Sequence, residues 1–211
     1  MSQEIAGIRI PDTKLCQQAE LLLEEVSPRT LRNHCYRTYY FAAMFGATQS
    51  IRFDRELLYV GSLLHDLGLT ERFDADVRFE VRGADAAREF VTTHGLSEEK
   101  AATVWDAIAL HTSPEIAGRK GPEVALVQLG TACDIMGLGY DRLEPARVAM
   151  LLETFPREGI QASFLTLILQ EVRLRPTVVT GTWMADVGRQ ILTHIQCPTW
   201  KETMAASPYH E

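Results

Sequence analysis

Apolar residues recur three and four positions apart along most of the chain, which is the spacing of amphipathic helices. Asp12 is predicted to cap a first helix that ends near Val26. Pro28 suits the first position of a long second helix that reaches about Ala47. Further helices are predicted near 54–67, 83–93, 97–111, 122–138, 145–154, 160–173 and 182–196. Since no run of alternating residues indicates a strand, the pattern predicts an all-α fold, a single-domain helical bundle.

The same pattern divides the chain into four parts. Residues 1–27 are predicted to form an arm and a helix that pack on a central bundle, residues 28–140. Residues 141–197 supply packing helices without evident chemistry, and 198–211 are predicted to be a frayed tail. Gly68 is predicted to end the third helix at its C′ position. The segment 69–82 that follows is polar and aperiodic, which predicts a loop over the functional site.

An adjacent histidine and aspartate, His65 and Asp66, lie in an otherwise apolar stretch at the end of the third predicted helix. A buried aspartate is strongly unfavourable unless it is paired or bound to a metal. His34 and Asp134 lie on the inward faces of two other predicted helices. Imidazole and carboxylate groups together suit zinc, iron or manganese. Residues 28–140 are therefore predicted to be a metal-binding core, in which these four side chains hold one ion.

Two further histidines lie between the histidine–aspartate pair and Asp134. His94 falls at the end of a predicted helix, where a basic side chain suits the helix dipole, so it is predicted to be a cap. His111 shares a helix face with the apolar Val104 and Ile108 and is predicted to lie beside the metal. It would move a proton or orient substrate, with a pKa near neutrality, while a core histidine or an extra ligand remain alternatives. Two histidines and two aspartates form the shell of a single ion, which predicts a mononuclear site holding one divalent transition metal, zinc, with iron or manganese as alternatives.

Composition narrows the classes of function. The chain has 211 residues, is 46% hydrophobic and carries a formal net charge of −7, which argues against nucleic-acid binding. No apolar run approaches the roughly 20 residues of a membrane span, and the N-terminus lacks the pattern of a signal peptide. The cysteines are widely spaced and form no CxxC pair, which favours reduced thiols and a cytoplasmic location. They are Cys16, Cys35, Cys133 and Cys197.

Four stretches between residues 30 and 138 carry a resemblance to a known family. They are Arg32-Asn33-His34 with Arg37-Thr38-Tyr39, Leu64 to Gly68, Arg78 to Ala84, and Val104 to Thr112. These stretches are similar to the cyanamide hydratase branch of the HD superfamily of metal-dependent hydrolases. The resemblance implies an HD-type helical fold and hydration of the small nitrile cyanamide to urea. It also implies one zinc or similar ion on His34, His65, Asp66 and Asp134.

The predicted catalytic residues are His111, as a proton carrier, and Asp66, which is also a ligand. The predicted substrate contacts are Thr112, Phe79 and Arg82. Arg37 follows His34 by one helical turn, so it is predicted to hydrogen-bond a ligating carboxylate, with a surface ion pair as the alternative.

Two other functions remain open on the sequence. The first is an HD phosphohydrolase acting on a nucleotide or other phosphate ester, with Arg82, Arg119 or Lys120 as phosphate contacts. The second is a non-catalytic, metal-containing sensor or interaction domain. The segment 69–82 holds three arginines and four acidic residues, and Leu69 stands where many HD phosphohydrolases have a lysine. Both features favour a small uncharged substrate as the partner. A homo-oligomer is compatible with the sequence.

Overall fold

Helices make up nearly all the regular structure of the computed structural model, which describes residues 4–194 and 197–209. The predicted all-α class is confirmed. The helices are α1 (Lys14–Val26), α2 (Arg29–Thr48), α3 (Arg55–Leu64), α4 (Phe79–Thr93), α5 (Glu98–Ala109), α6 (Pro114–Ala117), α7 (Pro122–Met136), α8 (Pro145–Thr154), α9 (Ile160–Leu174), α10 (Trp183–Ile191) and α11 (Trp200–Ala205). Three-residue 3₁₀ turns lie at Leu67–Leu69, Glu71–Phe73 and Tyr140–Arg142. No helix within the described residues is long and apolar enough to cross a membrane.

Most helix starts follow the predicted caps. The Asp54 side chain accepts hydrogen bonds from two backbone N–H groups of α3, and Ser97 caps α5 in the same way. The first cap was predicted one residue early: Thr13, not Asp12, accepts from the N–H of Cys16. Pro28 stands at the N-cap of α2 and not inside its first turn, because its ψ of 156° is extended.

Several boundaries differ from the prediction. A hairpin of two short strands, β1 (Glu4–Ile5) and β2 (Ile8–Arg9), precedes α1. Strands of two residues leave no alternating signal in the sequence. The tail contains α11, which begins with a capping box between Thr199 and Glu202. The predicted helix 182–196 ends at Ile191, and residues 195, 196, 210 and 211 lie outside the described residues.

The segment predicted as a loop over 69–82 is helical in its last four residues, because α4 begins at Phe79. Gly68 does not take the left-handed conformation of a C′ residue. Its small size is required instead, since a Cβ there would lie 2.0 Å from the carbonyl oxygen of Phe79. Gly68 therefore allows the first turn of α4 to lie directly against the turn that follows α3.

The chain divides into two compact units, and the first holds residues up to 74 together with 79–160. In this unit α2 packs along α7 and against α3, while α5 contacts α3, α4 and α7. The rings that α2 contributes to the core of the bundle include those of Tyr39, Tyr40 and Phe45, which are buried. Burial of these large side chains is the main source of stability for the bundle. The second unit holds 75–78 and the described residues from 161 onward, in which the rings of Phe164 and Trp183 stack at 6.3 Å.

The contact between α2 and α7 depends on Gly130. A Cβ at this position would lie 2.3 Å from the carbonyl oxygen of Thr38, so the two helices would have to separate. We expect Gly130→Ala to lower the free energy of unfolding by about 1–3 kcal/mol, measured by urea denaturation. Gly121→Ala is the matched control, because a Cβ at Gly121 meets only the Glu123 side chain at 3.6 Å. Equal stability of the two variants would contradict the close approach of α2 and α7.

Candidate functional site

His65 and Asp66 lie where α3 ends, and this end turns both side chains into the bundle. His65 is the C-cap of α3, and Asp66 leads into the 3₁₀ turn Leu67–Leu69. The residues are 0% and 1% exposed, respectively. The apolar positions of α3 fix this orientation, because Leu63 and Leu64 are themselves fully buried.

His34 approaches the pair from α2. Its Nε2 atom lies 3.1 Å from His65 Nε2 and 3.6 Å from Asp66 Oδ2. His65 Nε2 lies 3.3 Å from the same carboxylate oxygen. The three side chains thus form one buried cluster whose ligand atoms are mutually close. The structure brings together three of the four residues predicted as ligands.

The histidine rings are oriented by hydrogen bonds on their far sides. Nδ1 of His65 donates to the carbonyl oxygen of Ser62 at 2.7 Å, and Nδ1 of His34 donates to Asp134 Oδ2 at 2.6 Å. Nδ1 of His111 donates to the carbonyl oxygen of Ile108 at 2.6 Å. These contacts assign the ring proton to Nδ1 in each case. When the rings are neutral, each Nε2 lone pair is available to an ion, and each Nε2 atom lies near a carboxylate oxygen of Asp66.

Asp66 has the chemistry of a metal ligand. Among the described residues neither of its carboxylate oxygens has a hydrogen-bond partner, although both are buried. A buried carboxylate without donors is strongly destabilising unless a cation compensates it. Ligand atoms about 2.0–2.2 Å from one ion lie roughly 3–3.6 Å apart, which the three distances in the cluster match. The cluster therefore fits a single divalent transition metal.

The charges inside the cluster depend strongly on one another. Burial raises the pKa of Asp66, but His65, His34 and His111 together outweigh burial and hold that pKa well below its usual range. Burial likewise opposes the charge on His65, yet Asp66 raises its pKa well above the ordinary value. His111 differs, because burial and the charge of His65 lower its pKa to about 4. His111 is therefore neutral at pH 7 in the metal-free protein, and the predicted pKa near neutrality is wrong.

The arrangement can be compared with known proteins. Residues 31–151 match the HD domain family. The chain belongs to the HD domain family. Two proteins of Saccharomyces cerevisiae (strain ATCC 204508 / S288c), "Cyanamide hydratase DDI2" and "Cyanamide hydratase DDI3", are each 26% identical to it over 165 residues, which is 76% of this chain and 73% of theirs. The predicted resemblance to the cyanamide hydratase-like branch is thereby confirmed. HD domains bind divalent metals, in agreement with the His34–His65–Asp66 cluster.

Asp134, the fourth predicted ligand of this HD domain, lies behind His34 and outside the three-residue cluster. Arg37 donates to both of its oxygens, from Nε and Nη2, each at 2.8 Å. These hydrogen bonds and that of His34 outweigh burial and keep the pKa of Asp134 well below its usual range. Arg37 thus contacts a candidate ligand carboxylate and forms no surface ion pair, while direct ligation by Asp134 stays a prediction.

Arg157 belongs to the same network and was not anticipated from the sequence. Its Nη1 atom donates to the carbonyl oxygen of Asp134 and, at 2.9 Å, to Asp134 Oδ1. Arg37 Nη1 also donates to the carbonyl oxygens of Phe155 and Pro156, each at 3.0 Å. Arg157 follows α8 in a segment without periodicity, so no sequence signal marks it. We call His34, His65, Asp66, His111 and Asp134 the HD centre. Hydrogen bonds of Arg37 and Arg157 therefore connect this centre to the segment that follows α8.

His111 and the predicted substrate residues lie at α4 and at the turn after α5. His111 Nε2 is 3.7 Å from Asp66 Oδ1, and the Phe79 ring meets the His111 ring edge-on at 5.6 Å. Thr112 Oγ1 donates to Glu80 Oε1 at 2.8 Å, so the buried Glu80 is a further residue of this region that was not predicted from the sequence. Arg82 Nε donates to the carbonyl oxygen of Gly68 at 2.7 Å. The substrate contacts of Thr112, Phe79 and Arg82 stay predictions.

The remaining candidates lie outside the cluster. His94 is exposed at the end of α4 and its Nδ1 contacts the carbonyl oxygen of Phe90, as a cap does. Arg119 donates to the carbonyl oxygen of Glu115, and Lys120 pairs with Asp106 at 2.8 Å, both at exposed positions. All four cysteines are free and buried, and none belongs to the cluster of His34, His65 and Asp66.

Proposed function

We propose that this HD domain protein is a hydratase that uses a metal to add water to a small nitrile-like substrate such as cyanamide, giving urea. The observation that carries the proposal is the burial of the centre. His34, His65, Asp66, His111 and Asp134 are all at most 3% exposed. So enclosed a centre suits a substrate of a few atoms better than a nucleotide. The likeness to the yeast cyanamide hydratases supports the same substrate class.

The charges around the centre also support an uncharged substrate. A phosphate ester normally meets arginine, lysine or a helix N-terminus. The two arginines nearest the candidate ligands, Arg37 and Arg157, both donate to the carboxylate of Asp134. The donors of these two guanidinium groups are therefore already bound to Asp134 and to backbone carbonyl oxygens.

We propose His34, His65, Asp66 and Asp134 as the residues that hold the ion, with zinc as the expected metal and iron or manganese as alternatives. The hydrogen bond from His34 Nδ1 to Asp134 holds the imidazole with Nε2 toward the cluster. When bound, such an ion supplies Lewis acidity and lowers the pKa of water. The four free thiols support a cytoplasmic location, which we also propose.

The chain's own residues supply the proton transfers of the reaction. Hydration of a nitrile joins the water oxygen to carbon and one water proton to nitrogen, which gives an isourea. The proton left on oxygen then moves to that nitrogen, which gives urea. His111 Nε2 carries no proton and faces the cluster, so it accepts a proton from water and returns it to the nitrile nitrogen. The Thr112 hydroxyl donates a hydrogen bond to Glu80, so the lone pairs of Thr112 Oγ1 are left to accept a hydrogen bond from an N–H group of the substrate. Phe79 provides an apolar wall beside His111.

An assay of two reactions tests the proposal. Purified, zinc-loaded protein is incubated with cyanamide and, separately, with nucleoside monophosphates. We expect urea from the first reaction and no phosphate from the second. Phosphate release without urea would favour the phosphohydrolase, and neither product from metal-loaded protein would favour a non-catalytic domain.

We expect His111→Gln to retain the metal and to lower the rate of hydration by roughly 10²–10⁴-fold, because glutamine does not accept the proton. His94→Gln is the matched control, since His94 is exposed and outside the cluster. The measurements are urea formation and elemental analysis of folded protein. Loss of the metal from His111→Gln would make His111 a ligand and remove its proposed role as proton carrier.

A further inference from the structure

A second concave site lies in the first unit, away from the HD centre. It is a cavity of about 610 Å³ between the N-terminal hairpin, the second half of α2 and the segment 50–55. We call it the arginine cavity, since Arg9, Arg52 and Arg55 line it. Along α2 the lining residues begin at Tyr39, five positions after His34, and end at Ala47, thirteen positions after it, which at 1.5 Å per residue is about 20 Å.

Two of the three arginines of this cavity have no charged partner among the described residues. Within residues 4–194 and 197–209, the guanidinium groups of Arg52 and Arg55 form no hydrogen bond or ion pair, whereas Arg9 has one contact, with Glu4 at 3.7 Å. Asp54 lies between Arg52 and Arg55 in sequence, but its carboxylate binds neither of them. It caps α3 and pairs with Lys100 at 2.8 Å. The lining thus holds three positive charges and one negative charge on a chain whose net charge is −7.

The remaining wall is apolar. Ile8, Ala43, Ala47, Ile51 and Phe53 line the cavity beside the arginines. A volume of several hundred Å³ with an apolar wall and a few convergent polar groups is typical of a small-molecule site. The guanidinium fork matches the oxygens of a phosphate group, and two negative charges balance the excess of two positive charges in the lining.

The hairpin wall is held in place by specific contacts. Tyr39 donates its hydroxyl proton to the carbonyl oxygen of Arg9 at 3.0 Å, and Arg147 donates to that of Ala6 at 2.6 Å. Gly7 has a φ of +73°, and a Cβ there would lie 3.3 Å from Arg147 Nη2. The hairpin therefore presents Ile8 and Arg9 to the cavity in a fixed geometry, as binding requires.

We propose that the arginine cavity binds a small phosphomonoester with an apolar body, at a site separate from the HD centre. The phosphate accepts hydrogen bonds from Arg52, Arg55 and Arg9, and the body packs on Ile51 and Phe53. Neither the phosphate alone nor the apolar body alone fills the cavity, so both parts of the ligand are needed for tight binding.

The proposal is tested with benzylphosphonate, whose carbon–phosphorus bond resists hydrolysis at a metal centre. Calorimetric titration of the metal-loaded protein is expected to show saturable binding, at least about tenfold tighter than that of inorganic phosphate or benzyl alcohol. Arg52→Ala/Arg55→Ala is expected to weaken this binding at least about tenfold, because charge-assisted hydrogen bonds are lost. Arg142→Ala is the matched control, since Arg142 is exposed, unpaired among the described residues and outside the cavity.

A second variant adds charge inside the cavity without removing an arginine. Ala47 is exposed and lines the cavity, so Ala47→Glu is expected to fold and to weaken binding at least about tenfold, whereas Ala47→Gln retains it within about threefold. Three results would overturn the proposal: no saturable binding to the parent protein, binding by the double arginine variant within threefold of the parent, or equal weakening in Arg142→Ala.

Discussion

Asp66→Asn is expected to release the metal and to reduce hydration to the uncatalysed rate while the protein stays folded. The substitution keeps the shape of the side chain but removes the negative charge, whose oxygens have no hydrogen-bond donor among the described residues. Without that charge, only the Nε2 atoms of His34 and His65 and the carboxylate of Asp134 remain of the proposed ligands, a weaker set for a divalent ion. The measurements are metal per chain by elemental analysis, urea formation, and circular dichroism as a check on folding.

Asp141→Asn is the control for this experiment, because Asp141 is an exposed aspartate in the 3₁₀ turn Tyr140–Arg142. It should retain both metal and activity. A folded Asp66→Asn protein with an unchanged metal content would remove Asp66 from the ligand set. The structure would then need another explanation for a buried carboxylate without donors.

Asp134→Asn is expected to have the largest effect on stability. Arg37 is 0% exposed and gives two hydrogen bonds to the Asp134 carboxylate. An asparagine leaves the buried guanidinium without a counter-charge and places an amide N–H₂ group against one of its donors. Breaking a buried ion pair on one side costs about 3–5 kcal/mol, and the free energy of unfolding in urea should fall by that amount.

The same variant tests how Asp134 serves the metal. If Asp134 acts on the ion through His34 alone, its loss should weaken metal affinity by about 10–100-fold. If it is also a ligand, as we propose, the metal should be lost outright at stoichiometric concentration. Arg157→Gln is the comparison, because Arg157 is 35% exposed and its pair with Asp134 should contribute less than about 1 kcal/mol. Equal stability of Asp134→Asn and the parent protein would contradict the network seen in the structure.

These experiments separate what the sequence predicted from what only the structure shows. His34 lies on the inward face of α2, and His65 and Asp66 lie at the end of α3, so periodicity and one helix terminus were enough to find them. The direction of each ring nitrogen depends on carbonyl groups such as that of Ser62, which periodicity does not describe. Arg157 reaches Asp134 across 23 residues through a segment without any repeat. Such contacts depend on the path of the chain after α8.

The boundary errors have equally local causes. Asp12 and Thr13 are both good N-caps, and only backbone geometry decides between them. The start of α4 was missed because Glu80 and Arg82 are charged, which is typical of a surface loop. Both side chains are in fact buried, at 0% and 4% exposure. Burial of charged groups depends on tertiary partners, which a single sequence does not reveal.

The four buried cysteines are natural probes of local unfolding in this protein. Burial raises the pKa of Cys16 to about 11 and that of Cys133 to about 12, and it also raises the pKa of Cys35 and Cys197. A protonated, enclosed thiol reacts slowly with an alkylating reagent, so modification requires local or global unfolding. Cys16, Cys35 and Cys133 lie on α1, α2 and α7, and Cys197 follows α10. The order in which iodoacetamide labels them in rising urea will therefore rank the opening of these four regions, with no engineered probe.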